Sequence, residues 1–113
     1  MKNIRYFSKN KYKNGRSLCD QGHNHPSVIE SQYCNTLHMI KRTGEIKEII
    51  YEKVFELRIE GKLIAKHKPD FYITRKDGNV EVHEVKGFET DIWRIKRRMF
   101  EALYPEIPYI VVK

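Results

Sequence analysis

Residues 69–86 read as one β-hairpin, and its turn decides which side chains share a face. Phe71-Tyr72-Ile73-Thr74 and Val80-Glu81-Val82-His83 are β-rich runs on either side of an Asp77-Gly78 turn signal. Side chains i and i+2 on a strand point the same way, so Glu84 and Lys86 share a face. Directly opposed residues of an antiparallel pair also share a face. With a two-residue Asp77-Gly78 loop, Lys76 faces Asn79 and Asp70 falls on the face away from Glu84. With a three-residue loop, Lys76-Asp77-Gly78 with Gly78 in the left-handed region, Arg75 faces Asn79. Asp70 then lies across from Glu84, and Lys68 across from Lys86. Two carboxylates and an ammonium together can hold a hard cation and activate a water. That chemistry requires the odd loop.

At 113 residues the chain is the size of one domain, residues 1–113, and its hydrophobic content of 40% against 33% charged is that of a globular protein. The net charge of +7 favours a polyanionic partner, nucleic acid foremost. No apolar run is long enough to span a bilayer and no signal-peptide core opens the chain, so the expected location is the cytoplasm, with no membrane partner. Two cysteines, Cys19 and Cys34, are too few for a disulfide scaffold and are expected as thiols.

Residues 1–25 form a basic arm. Lys9, Lys11, Lys13 and Arg16 precede the first acid, Asp20, with Tyr6, Phe7 and Tyr12 interleaved. Such a mixture suits phosphate contact and base stacking, and equally a solvated arm. Cys19, His23, His25, Cys34 and His38 make a loose Cys/His set. Zinc takes four converging ligands, usually at tight paired spacings, and there is no Cys-x-x-Cys here. On spacing alone, ordinary loop histidines and buried thiols are the better reading.

A first helix is expected from about Ser27 to Thr43, with Ile29, Tyr33, Leu37 and Ile40 as its apolar stripe. Ser27-x-x-Glu30 is a capping box in which Glu30 bonds the Ser27 N–H. A metal role for Glu30 competes with that. A β region follows: Ile46–Tyr51 as an entry, Phe55–Ile59 as a half-buried strand, then a strand from about Leu63 through Pro69 to Thr74. Proline cannot donate to a ladder, so Pro69 marks an edge, bulge or break. A second helix is expected from about Asp91 to Tyr104, capped by Thr90. Its expected buried stripe is Ile92, Ile95, Met99 and Leu103, flanked by Trp93 and Phe100, with Arg94, Arg97 and Arg98 outside. Lys96 falls inside the apolar arc, where a lysine must snorkel out or meet a carboxylate. Tyr109–Val112 reads as a buried strand, parallel to Val80–Val85 after a helical crossover.

This order of elements, with Pro69-Asp70 and Glu84-x-Lys86, resembles the PD-(D/E)xK nuclease superfamily. More narrowly it resembles small phage-type members related to Holliday-junction resolvases. The shared features are the lysine-rich arm, Ser27-x-x-Glu30, Asp70-Phe71, Val85-Lys86-Gly87 and Lys96, across roughly Lys11 to Val112. The chain departs at Glu52, where that group has glutamine, at His83, where it has an apolar residue, and in the Cys19–His25 stretch. The resemblance implies an α/β (α+β) domain with an αβββαβ, restriction-endonuclease-like core: a four-stranded mixed sheet flanked by two helices. It implies a metal-dependent DNA endonuclease, on branched or recombination-intermediate DNA, working in a host cytoplasm if phage-encoded. Asp70, Glu84 and the Val85 carbonyl are implied ligands of Mg²⁺ or Mn²⁺, with Glu30 completing the site directly or through water. Lys86 is implied to orient the water or stabilise the charge on phosphorus. Arg94, Lys96, Arg97 and the arm are implied to hold the DNA, and a homodimer would cut two strands. A non-cleaving nucleic-acid-binding protein of the same fold is the alternative, and a Cys/His metal-dependent regulatory module a third.

Overall fold

A computed structural model describes residues 17–22, 24–25 and 27–113. They fall into two compact units with the division between Arg42 and Thr43. The expectations for Lys9, Lys11, Lys13, Arg16 and His23 concern residues outside those described. Among the described residues no helix is long and apolar enough to cross a membrane.

The first unit holds a two-stranded antiparallel ribbon, β1 (Ser17–Leu18) and β2 (Asn24–His25), and one helix, α1 (Val28–Arg42). Ser27 caps α1, its Oγ accepting the Glu30 N–H at 3.1 Å. The buried side of α1 differs from the expected aliphatic stripe. Glu30, Ser31, Cys34 and Leu37 are buried, while Ile29 is 53% exposed. The ribbon explains the rotation, because it presents small and polar groups to the helix. Ser31 Oγ bonds Ser17 Oγ at 3.0 Å, and the Cys34 and Cys19 sulfurs are 3.4 Å apart.

The second unit is a mixed four-stranded sheet, a separate hairpin and a helix. β3 (Ile46–Tyr51), β6 (Phe71–Arg75), β7 (Val80–Val85) and β8 (Tyr109–Val112) lie side by side in the order β3-β6-β7-β8. Only the β7–β8 pair is parallel, joined through α2 (Asp91–Leu103). The described residues are thus mixed α+β, with a four-stranded mixed sheet and two helices. Two strand expectations change. The neighbour of β6 is Ile46–Tyr51, while Phe55–Ile59 (β4) pairs with Lys62–His67 (β5) in a hairpin of its own. The strand expected from Leu63 to Thr74 is cut in two around Pro69, which is fully buried and has no N–H to continue a ladder.

The hairpin and α2 pack on the sheet face that carries Val82. Phe55, Leu57, Val82, Phe100 and Ile107 form this core, with Tyr72, Met99, Tyr104 and Tyr109 against it. Phe55 meets Phe100 edge-on at 4.8 Å and Tyr104 at 5.2 Å. Phe100 touches neighbours from three directions and has no exposed surface. Truncating such a residue to alanine costs about 3–5 kcal/mol.

The same aromatic packing turns α2 away from the expected orientation. Its buried residues are Trp93 and Phe100, while Ile92 and Ile95 are 70% and 57% exposed. The larger rings bury more apolar area than the isoleucines would, so they win the inner face. Arg97, expected outside, is partly buried, with its guanidinium 5.8 Å from the Trp93 ring and 5.1 Å from Tyr109. Thr90 caps the helix as expected, accepting the Trp93 N–H at 3.1 Å.

Candidate active site

The β6–β7 turn is the odd loop. Arg75 donates its N–H to the Asn79 carbonyl at 2.8 Å, and Gly78 N–H returns to the Arg75 carbonyl at 2.9 Å. Lys76, Asp77 and Gly78 form the loop, with Gly78 at a φ of 92° that side chains other than hydrogen rarely adopt. Asp77 supports it by accepting the Asn79 N–H at 3.0 Å. The register then runs from Thr74 opposite Val80 to Phe71 opposite His83. One further step sets Asp70 opposite Glu84, on the face that carries Tyr72 and Val82.

Pro69 shapes what happens beside them. Opposed residues of an antiparallel ladder alternate between pairs that exchange hydrogen bonds and pairs that do not. Arg75 and Asn79 are a bonded pair. The next bonded pairs are therefore Ile73 with Glu81, Phe71 with His83, and then position 69 with Val85. Proline at 69 has no N–H to give the Val85 carbonyl. The Val85 N–H is taken by Asp70, whose Oδ2 accepts it at 2.8 Å. A strand residue's C=O points to the same side as its N–H. The Val85 carbonyl oxygen is therefore directed to the Asp70 side.

Glu84 is 7% exposed and is held from behind. Its Oε1 accepts a hydrogen bond from the Tyr109 hydroxyl. His67 Nε2 lies 2.6 Å from that hydroxyl and 3.7 Å from Glu84 Oε1. Tyr109 has one proton and gives it to Glu84, so His67 must carry its proton on Nε2 and donate to the tyrosine oxygen. Burial holds the His67 imidazole down at a pKa of about 4, and the Lys96 and Lys86 charges add to the effect. Burial raises the Tyr109 phenol, and the Glu84 charge raises it further. The two side chains thus stay neutral and fix the direction of the Glu84 carboxylate.

Cations collect on the same side. A cleft of about 450 Å³ is lined by Lys66, His67, Lys68, Glu84, Trp93 and Lys96, among others. Lys86 reaches over the Trp93 ring, its Nζ 5.5 Å from the centroid. Lys96 lines the same cleft as Glu84. Arg94 is exposed and paired with Asp91 at 3.0 Å and Glu89 at 3.5 Å. A larger hollow, about 730 Å³, surrounds the β6–β7 turn and includes Glu45, Asp77, Glu81 and Glu106 in its walls. Neither Asp70 nor Glu84 lines it.

Glu30 belongs to the first unit. It is 6% exposed, and its Oε2 lies 2.9 Å from His25 Nδ1. One oxygen of its carboxylate is thus engaged by that histidine. His83, unusual for its position, pairs with Glu81, which Arg75 also grips through two bonds of 3.1 and 2.8 Å.

His67 and Tyr109 are site residues that no sequence pattern singles out. His67 sits in a run of lysines, and Tyr109 opens an otherwise aliphatic strand. A polar aromatic at the start of Tyr109–Val112 is the available signal, because β8 runs parallel to β7 beside Glu84. Together the arrangement offers two carboxylates and a backbone carbonyl, all oxygen donors, beside several lysines. Oxygen donors suit hard divalent cations, and lysines suit a phosphate.

The sequence profile of one protein family, described as protein of unknown function (DUF1064), matches residues 9–113. No curated protein and no solved structure matches the chain.

Proposed function

The chain belongs to the protein family described as of unknown function (DUF1064), and from the geometry of its second unit we propose that it is a metal-dependent DNA endonuclease. The observation that carries this reading is the β6–β7 register, which continued by one residue sets Asp70 opposite Glu84, with Asp70 Oδ2 on the Val85 N–H and no proline N–H to take the Val85 carbonyl. On this reading the second unit is the centre of a restriction-endonuclease-like core. Asp70, Glu84 and the Val85 carbonyl hold Mg²⁺ or Mn²⁺. The bound ion supplies a water of lowered pKa and polarises the phosphodiester. Tyr109 and His67 hold Glu84 in its ligating orientation. Lys86 meets the developing charge on phosphorus, and Lys96 with Lys66 and Lys68 steadies the DNA strand along the cleft. Glu30 is left out of the catalytic set, because His25 engages it. Branched or recombination-intermediate DNA is the proposed substrate class, and a homodimer supplies the two sites needed to cut two strands.

The test is incubation of the protein with branched and linear DNA in Mg²⁺, Mn²⁺ or EDTA. Cleavage is expected with either metal and not in EDTA. Asp70→Asn and Glu84→Gln should each abolish metal-supported cleavage while binding DNA in EDTA at least as well as wild type, since each removes a negative charge. Binding without metal-dependent cleavage by the wild type would support instead a DNA-binding protein of the same fold.

A further inference from the structure

We propose that Cys19, His25 and Cys34 are protein ligands of a structural zinc ion in the first unit. The three side chains come from the β1–β2 ribbon and α1, and all are buried: 6%, 4% and 0% exposed. Their ligand atoms lie within 4.8 Å of one another, and the two sulfurs are 3.4 Å apart. Tetrahedral zinc, with Zn–S about 2.3 Å and Zn–N about 2.0–2.1 Å, places its ligand atoms roughly 3.6–3.8 Å apart. The observed cluster reaches that geometry by small side-chain movements. A disulfide would need the sulfurs at about 2.05 Å.

Glu30 supplies a second, independent mark. His25 meets the Glu30 carboxylate through Nδ1 at 2.9 Å, which assigns Nε2 to the metal. Zinc-bound histidines commonly donate their other N–H to a carboxylate, and that contact fixes the tautomer and strengthens the ligand. It also gives a buried glutamate in the first turn of α1 a reason to be there. Binding converts both thiols to thiolates, and the two protons leave to solvent. Among the described residues, these side chains supply three of the four ligands of the tetrahedron. The ion ties the ribbon to the helix where the facing side chains are Ser17, Ser31 and the cysteines rather than aliphatic groups. Tight pairing of ligands along the sequence is not needed here, because the fold brings two ligands from the ribbon to one on the helix.

The experiment uses the full chain purified without chelator. Elemental analysis should find one zinc per chain. Exchange with Co²⁺ should give the intense visible bands of tetrahedral thiolate coordination. Both cysteines should react with a thiol reagent slowly until a strong chelator is added. Glu30→Gln, which keeps the helix cap on Ser27, should still bind but with zinc affinity lowered about 10–100-fold in a competition titration. Cys34→Ser should lose the ion, and the Glu30 variant keeps the test informative if Cys34→Ser does not fold. Wild type that takes up neither zinc nor cobalt, or that carries Cys19 and Cys34 as a disulfide two hydrogens lighter, overturns the proposal. So does an unchanged zinc affinity in Glu30→Gln.

Discussion

A neutral His67 makes stability depend on pH in a direction the structure sets. Burial and the nearby Lys96 and Lys86 charges hold its folded pKa near 4, below the ordinary 6.5. Between those values the unfolded chain binds a proton that the folded chain refuses. The contribution is therefore fully present above pH 6.5 and is lost as pH falls toward 4. At about 1.36 kcal/mol per pKa unit, the whole shift is worth roughly 3 kcal/mol. His67 is 5% exposed, but the cleft it lines opens to water, so solvent screening reduces the figure to about 1–2 kcal/mol. The perturbation is His67→Phe, compared with wild type by urea unfolding in EDTA at pH 7.5 and 4.5. Loss of the bond to Tyr109 costs about 1 kcal/mol at both pH values and cancels in the comparison. Wild type should lose more stability on acidification than the variant, an extra midpoint shift on the order of 0.5–1 M urea. Equal losses in the two proteins would refute a buried neutral His67, and with it the assigned proton on Nε2.

Lys86→Ala leaves both carboxylates in place, so Mn²⁺ should bind as in wild type. The cleavage rate should fall on the order of 10²-fold, the scale of one electrostatic interaction with the transition state; a rate within a few-fold of wild type would remove Lys86 from the chemistry. Pro69→Ala restores an N–H opposite Val85. The new ladder bond, worth about 1 kcal/mol net, should compete for the carbonyl and weaken Mn²⁺ binding roughly five-fold, whereas an unchanged affinity would show that this oxygen is not a ligand. Neutralising Lys9, Lys11, Lys13 and Arg16 should flatten the salt dependence of DNA binding, by about 0.7–0.9 in log–log slope for each phosphate the arm no longer neutralises. An unchanged slope would mean that these residues do not meet the DNA backbone.

The parts of the fold legible in the sequence are those set by local rules. Alternation and the Asp77-Gly78 turn locate β6 and β7, Thr90 locates the start of α2, and the strand–helix–strand order gives the parallel β7–β8 pair. The orientation of each helix is not legible, because it depends on what the helix meets. On α2 the rings of Phe55 and Tyr109 select Trp93 and Phe100 over the isoleucines. On α1 the ribbon selects Ser31 and Cys34 over Ile29. In the candidate site, Asp70, Glu84 and Lys86 follow from strand periodicity. His67 and Tyr109 do not, because which positions of β5 and β8 meet Glu84 is set by packing between elements and not by any local pattern. The contact of Glu30 with His25 is not legible for a related reason: His25 lies outside the capping motif that explains Ser27.

Hairpin tips are ordinarily where a protein accepts added or missing residues most readily. The tip formed by Lys76, Asp77 and Gly78 is different in kind, although it touches neither Asp70 nor Glu84. Changing its length by one residue shifts the pairing by one, and strand pleating then sends Asp70 and Glu84 to opposite sides of the sheet. A change of two preserves their company. Length variation at this remote and exposed place should therefore come in steps of two among functional descendants of the chain. A frame-preserving loss of one codon there would be as damaging as losing a carboxylate, with every side chain of the candidate site still present.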